Sequence, residues 1–208
     1  YPLEGPLAVP LRIAEAALAL WALSGLLLPA LGVAFGLVYV YLCLAYGIVA
    51  IDAIPVLASA FFYLFHTRGS GYTVSSRQLL GMRLSLGLGF FLLGLINKIY
   101  PAELFIGVAD QHPALLIAPQ ALFPGLTREA WSFTTALGEM VFGLLLLIGV
   151  FNRVTTLVLA LIFANFIAIF GWPEIVHVYP IAGFVLLFFR GQLGTSLDGL
   201  VFRTTVRL

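Results

Sequence analysis

The sequence predicts an all-α fold: a polytopic bundle of membrane helices. Three observations predict it. Hydrophobic types make up 62% of the 208 residues, charged types only 9%, and mean hydropathy is +1.11. The apolar residues come in runs near the ~20 residues that a bilayer-crossing helix needs. Those runs lack the period-two alternation of barrel strands.

The same composition excludes several classes. A soluble domain carries about 25% charged residues, so this chain cannot clothe a water-facing surface and is not a soluble globular enzyme. Its apolar content excludes intrinsic disorder. A net charge of +1 provides no basic field for nucleic acid. The single cysteine, Cys43, lies in an apolar run and reads as a small buried side chain. One thiol makes no intrachain disulfide and no Cys-based zinc or iron–sulfur site.

Seven candidate spans follow in order: 11–29, 32–51, 54–66, 80–98, 131–150, 154–171 and 177–190. The third and seventh are short, which tilt or a thin bilayer accommodates. Pro29, Pro55, Pro101, Pro173 and Pro180 fall at or near span ends, where a missing N–H costs least. Gly32-Val-Ala-Phe-Gly36, and Gly87 with Gly94, offer small faces for close helix contact. Trp131 and Trp172 sit at span boundaries and read as an aromatic belt, whereas Trp21 lies inside a span.

Segment 99–130 is the one long loop, broken by Pro101, Pro113, Pro119 and Pro124, and reads as re-entrant or interfacial. Alternating spans place Arg68, Arg77, Arg83, Arg153, Arg190, Arg203 and Arg207 on one side with a single acid, Asp198. The positive-inside rule makes that side cytoplasmic. Tyr1 is then outside and Leu208 inside, in the inner membrane of a prokaryote.

The linker 67–78 divides the chain into two weakly similar halves, 1–70 and 71–208. Glu15 precedes Gly25 by the interval that separates Glu139 from Gly149. Asp52-Ala-Ile-Pro55 matches His177-Val-Tyr-Pro180, Arg68-Gly69 matches Arg190-Gly191, and Tyr1-Pro2 matches Phe123-Pro124. The second unit has four helices, outer loop 99–130 and inner tail 191–208, whereas the first unit has three. A helix preceding Tyr1 is therefore expected, and Tyr-Pro-Leu-Glu-Gly does not resemble a signal-peptide start.

Polar groups inside spans are the candidate sites, because ionisable side chains in a bilayer are costly. Glu139 lies roughly 12 Å along its span at the helical rise. It reads either as a proton or quinone partner or as an interhelical hydrogen bond. Glu15 lies nearer its helix start. Asn165 sits mid-span in Phe-Ala-Asn-Phe-Ile and reads as an amide bridging helices. Lys98 ends its span, where its stem can snorkel; Arg83 and Arg190 read likewise. His177 opens the last span and His112 lies in the outer loop, while His66 lies on the inner side. That placement does not suit bis-His haem, and no metal site or catalytic residue is expected. Chlorophyll bound through one His stays open.

The second half resembles the DoxX/DoxD-like integral membrane family. Met82-Arg83-Leu84 with Gly94-Leu-Ile-Asn97-Lys98 resembles its first helix. Gly138-Glu139, the Leu-rich run, Gly149 and Asn152-Arg153 resemble its second. His177-Val-Tyr-Pro180-Ile-Ala-Gly183 is similar to the start of its fourth. Gly191-Gln-Leu-Gly194-Thr-Ser196-Leu-Asp198 is similar to its tail, with shifted glycine spacing. The resemblance covers about residues 80–200. It implies a four-helix membrane unit and a quinone-linked redox setting, including the small subunit of thiosulfate:quinone oxidoreductase. It makes Glu139, Asn165, His177 and Lys98 the polar set.

Three functions are therefore expected, in order. The first is a mainly structural subunit of a respiratory or photosynthetic, quinone-linked membrane complex. Its partners are lipid and other integral subunits, and a quinone is its one cofactor candidate. The second is the membrane subunit of a thiosulfate:quinone oxidoreductase-like enzyme, with quinone near Glu139 and His177. The third, a small-solute transporter, ranks last because the repeats read as parallel, not inverted.

Overall fold

The computed structural model describes residues 13, 17, 18, 20, 21, 27–47, 53–66, 74–99, 102–171 and 178–190. Among these there are helices and no strands. Four helices are long and apolar enough to cross a membrane: Leu28–Ala45, Ser76–Ile96, Arg128–Ile148 and Asn152–Phe170. The chain is thus a membrane-type helical protein whose apolar faces contact lipid. The expected first span lies largely outside the described residues, although positions 13, 17, 18, 20 and 21 are helical.

Helix α1 runs Leu28–Tyr46, with a proline in its first turn and Gly47 closing it at φ +60°. Glycine suits that left-handed position because it has no Cβ to clash. Helix α2, Ile54–Leu64, also carries proline in its first turn. The two helices touch backbone to backbone. A Cβ at Gly32 would lie 2.4 Å from Leu64 N and 2.8 Å from Ala60 O. Gly36 has nothing within 4 Å, so only the first glycine of that pair serves as a contact.

Helix α3, Ser76–Leu93, starts four residues before the expected span because Ser75 and Gln78 form a capping box. Gln78 Oε1 accepts from Ser75 N–H at 2.9 Å, and its Nε2 donates to Phe62 O at 2.9 Å. One side chain therefore caps α3 and fastens it to the end of α2. The helix continues as a π-helical turn, Gly94–Ile99.

Segment 99–130, expected as a long re-entrant or interfacial loop, is largely helical where described. It holds two short helices, α4 (Ala102–Gln111) and α5 (Ala114–Leu122). The prolines permit this. Pro113 is the N-cap of α5, where no donor is required, and Pro124 follows its end. Pro119 falls inside α5.

Helix α6, Arg128–Ile148, is capped by Thr127, whose Oγ1 accepts from Ala130 N–H at 3.2 Å. Gly149 ends it at φ +81°. Helix α7 follows as Asn152–Phe170 and helix α8 as Val178–Arg190. Helices α2 and α8 have 11 and 13 residues. At the helical rise they are about 16 and 20 Å long, short of the ~30 Å hydrocarbon core.

The main core joins both halves. Ala58 of α2 packs with Leu79, Met82, Leu86 and Phe90 of α3, Leu146 of α6, Leu159 and Phe163 of α7, and Phe184 and Leu187 of α8. At its centre the rings of Phe90, Phe163 and Phe184 form a triangle with centroids 5.1, 5.4 and 6.1 Å apart. Tilted and edge-on ring pairs of this kind add attraction beyond simple burial. A second cluster sits under the α4–α5 hairpin: Ala109, Leu115, Leu116 and Trp131, flanked by Phe166, Ile169 and Phe170. Trp131 is therefore buried there, which corrects its reading as a belt residue. The expectation failed because the hairpin, read as loop, covers the end of α6.

Candidate functional site

A close backbone-to-backbone helix contact builds the site. Helices α3 and α6 are antiparallel and meet on glycine. A Cβ at Gly87 would lie 2.9 Å from Gly143 O, and one at Gly143 would lie 2.4 Å from Phe91 N. About two turns further along, a Cβ at Gly94 would lie 2.6 Å from Ala136 O. Lipid offers no hydrophobic driving force between helices, so close backbone approach is itself the main source of attraction.

That approach brings Lys98 and Glu139 together. Lys98 lies four residues beyond Gly94, in the π-helical turn, and Glu139 lies between Ala136 and Gly143 on the facing helix. Side chains lean toward the N-terminus of their own helix. In an antiparallel pair Lys98 reaches back toward the level of Gly94, and Glu139 reaches toward the level of Lys98. Lys98 Nζ donates to Glu139 Oε1 in a buried ion pair. The residues are only 5% and 4% exposed. Glu139 stands near the middle of α6, roughly 14–17 Å from either end at 1.5 Å per residue.

Lys98 therefore does not snorkel. The expectation treated a lysine at a span end as free to reach water, but its counter-charge lies inward. Arg83 is corrected in the same way: it is 5% exposed and buried with α3. Arg190, at the end of α8, is exposed as expected. The sequence reading also missed Ser132, seven residues before Glu139 on the same face of α6. Its Oγ is buried with no hydrogen-bond partner among the described residues.

Chemically, the pair cancels itself. A carboxylate and an ammonium buried together present little net charge to the surroundings. Taking either out of water alone costs several kcal/mol, and mutual attraction offsets this only with good geometry. The π-helical turn, a form that appears mostly as single turns and often at functional sites, places Lys98 within reach. Among the described residues no group of three His, Cys, Asp or Glu side chains could hold a metal ion.

The other candidates do not join this site. Asn165 lies on α7 with its side chain exposed and bridges no helices among the described residues. Glu15 and His177 lie outside the described residues. His112, at the α4–α5 junction, packs its ring edge-on against Phe170 at 4.4 Å. An open depression lined by Leu64, Phe65, His66, Ser75, Ser76 and Arg77 sits at the opposite end of α3. It is roughly 30 Å from Lys98 along the helix.

No protein-family model, curated protein or solved structure matches this chain.

Proposed function

We propose that this chain is a mainly structural, integral membrane subunit of a larger quinone-linked energy-transducing complex, respiratory or photosynthetic. Asn165 carries the reading. It sets a primary amide on a face of α7 otherwise lined by Val154, Leu157 and Leu161, all exposed. An amide facing hydrocarbon is costly, and a polar side chain on a neighbouring transmembrane helix offsets that cost by roughly 0.6–2 kcal/mol. Partner helices are the natural source of that group. Meanwhile two buried charges, Lys98 and Glu139, are spent on each other, which fits a scaffold better than a reaction centre.

The quinone link rests on the likeness of Gly138-Glu139, Asn97-Lys98 and the Gly191–Asp198 tail to the DoxX/DoxD-like family. The complex would lie in the inner membrane of a prokaryote, with the C-terminus cytoplasmic and Tyr1 outside. The experiment is native electrophoresis of membranes solubilised in a mild detergent, with identification of co-migrating subunits. The chain is expected at high mass together with redox subunits. Asn165→Leu is expected to weaken that association several-fold. Migration of the unaltered chain by itself would overturn the proposal.

A further inference from the structure

We infer that the face of α5 carrying Ile117, Leu122 and Phe123 is a lipid-binding surface that seats the acyl chains of one leaflet, the leaflet on the Asp110–Arg128 side. Asp110, near the end of α4, pairs with Arg128 at the start of α6, and both are about half exposed. That ion pair marks a water line. The chain leaves it after Gln111 and returns to it at Arg128, and from Pro113 to Thr127 no residue is ionisable.

Helix α5 has nine residues, about 13 Å at the helical rise. It is too short to cross ~30 Å of hydrocarbon, so it stays on that side. Eight of its nine residues are apolar. Leu115 and Leu116 are buried against Trp131, whereas Ile117, Leu122 and Phe123 are 69%, 76% and 66% exposed. A helix so largely apolar is normally buried on every face, and the described residues cover only one.

The backbone points the same way. Gln120 is the only polar side chain on α5, and its Nε2 donates to Leu126 O at 3.2 Å. Phe123 N–H donates to Pro119 O and Leu126 N–H to Phe123 O, both at 2.9 Å. Several polar groups of the turn after α5 are thus paired from within, as suits irregular backbone in an apolar medium. The patch offers no charge to fix the register of a protein partner, and the amide of Gln120 donates back to its own turn. Phe133 and Leu137 of α6, a span long and apolar enough to cross a membrane, are exposed as well. Acyl chains need no such register.

The test uses the full chain in dilute phosphatidylcholine–phosphatidylglycerol vesicles. Cys43→Ala is combined with Ile117→Cys, Leu122→Cys or Phe123→Cys, each bearing a nitroxide label. Collision rates with oxygen and with a water-soluble nickel chelate are then measured. Val141→Cys on the exposed face of α6 gives the lipid reference and Gln111→Cys the water reference. The three labels are expected to favour oxygen over nickel, as at Val141 and opposite to Gln111. Nickel-dominated collisions would place the face in water, and low collision rates with both would place it against protein; either overturns the proposal. A second readout needs no substitution. Phospholipid carrying a photoreactive group in its acyl chain is expected to label the 113–127 peptide of the unaltered chain, and absence of label there while α6 is labelled would also overturn it.

Discussion

Lys98 and Glu139, separated by 41 residues in sequence, form a buried ion pair across the antiparallel α3–α6 contact. Glycine makes their meeting possible, because Gly87, Gly94 and Gly143 let the two backbones touch. The pair should therefore behave as a unit. Glu139→Gln leaves an ammonium buried opposite a neutral amide, which is expected to cost about 3–5 kcal/mol. The double variant Lys98→Met with Glu139→Leu removes both charges and should regain much of that loss. Thermal unfolding in detergent of the two singles and the double closes the cycle. Additive losses would show that the two charges do not interact.

The glycine contact gives a second prediction. Gly143→Val puts a side chain where a Cβ alone already falls 2.4 Å from Phe91 N and 2.7 Å from Gly87 O. Backbone cannot yield as a side-chain tip can, so overpacking of about 1–3 kcal/mol or more is expected. Gly138→Ala is the control on the same helix, since a Cβ there meets nothing within 4 Å. Glycine costs about 1 kcal/mol against alanine inside a helix, so this variant should be neutral or stabilising. Unfolding midpoints of the two variants should move in opposite directions.

Ser75→Ala removes the side-chain half of the α3 capping box and should cost about 1 kcal/mol. Gln78→Ala should cost more, because it also removes the bond to Phe62 O that joins α3 to α2. Hydrogen exchange at the first turn of α3 checks both, and should rise further in Gln78→Ala. Equal effects would mean that the tie to α2 adds nothing.

These same residues show what could be read in the sequence and what could not. Apolar run length alone placed α1, α3, α6 and α7 to within a few residues, because the hydrocarbon core imposes that length. The start of α3 was legible as Ser75-Ser76-Arg77-Gln78, a serine and glutamine at capping-box spacing, yet hydropathy averages over such polar residues and put the start later. The helix pair was hidden because four prolines look like breakers, although Pro113 and Pro124 sit at helix ends where they do no harm. The Lys98–Glu139 pair was the hardest to see. Periodicity places each residue on its own helix face, but only the fold says which faces meet. Gly87–Gly94–Lys98 and Ala136–Glu139–Gly143, at intervals of seven and four and of three and four, were the available signal.

What holds the α4–α5 hairpin down is open to a direct comparison. The visible link is the Asp110–Arg128 ion pair, but both side chains are about half exposed. Exposed pairs contribute only about 0–1 kcal/mol and weaken further with salt. Trp131 is 7% exposed and packs with Ala109 of α4 and Leu115 and Leu116 of α5. Truncating a buried tryptophan typically costs about 3–5 kcal/mol. Arg128→Ala should therefore leave hairpin protection from proteolysis nearly unchanged, whereas Trp131→Ala should expose cleavage sites between 111 and 127. If high salt or Arg128→Ala opened the segment as fully as Trp131→Ala, the surface ion pair rather than the packing beneath it would be the anchor.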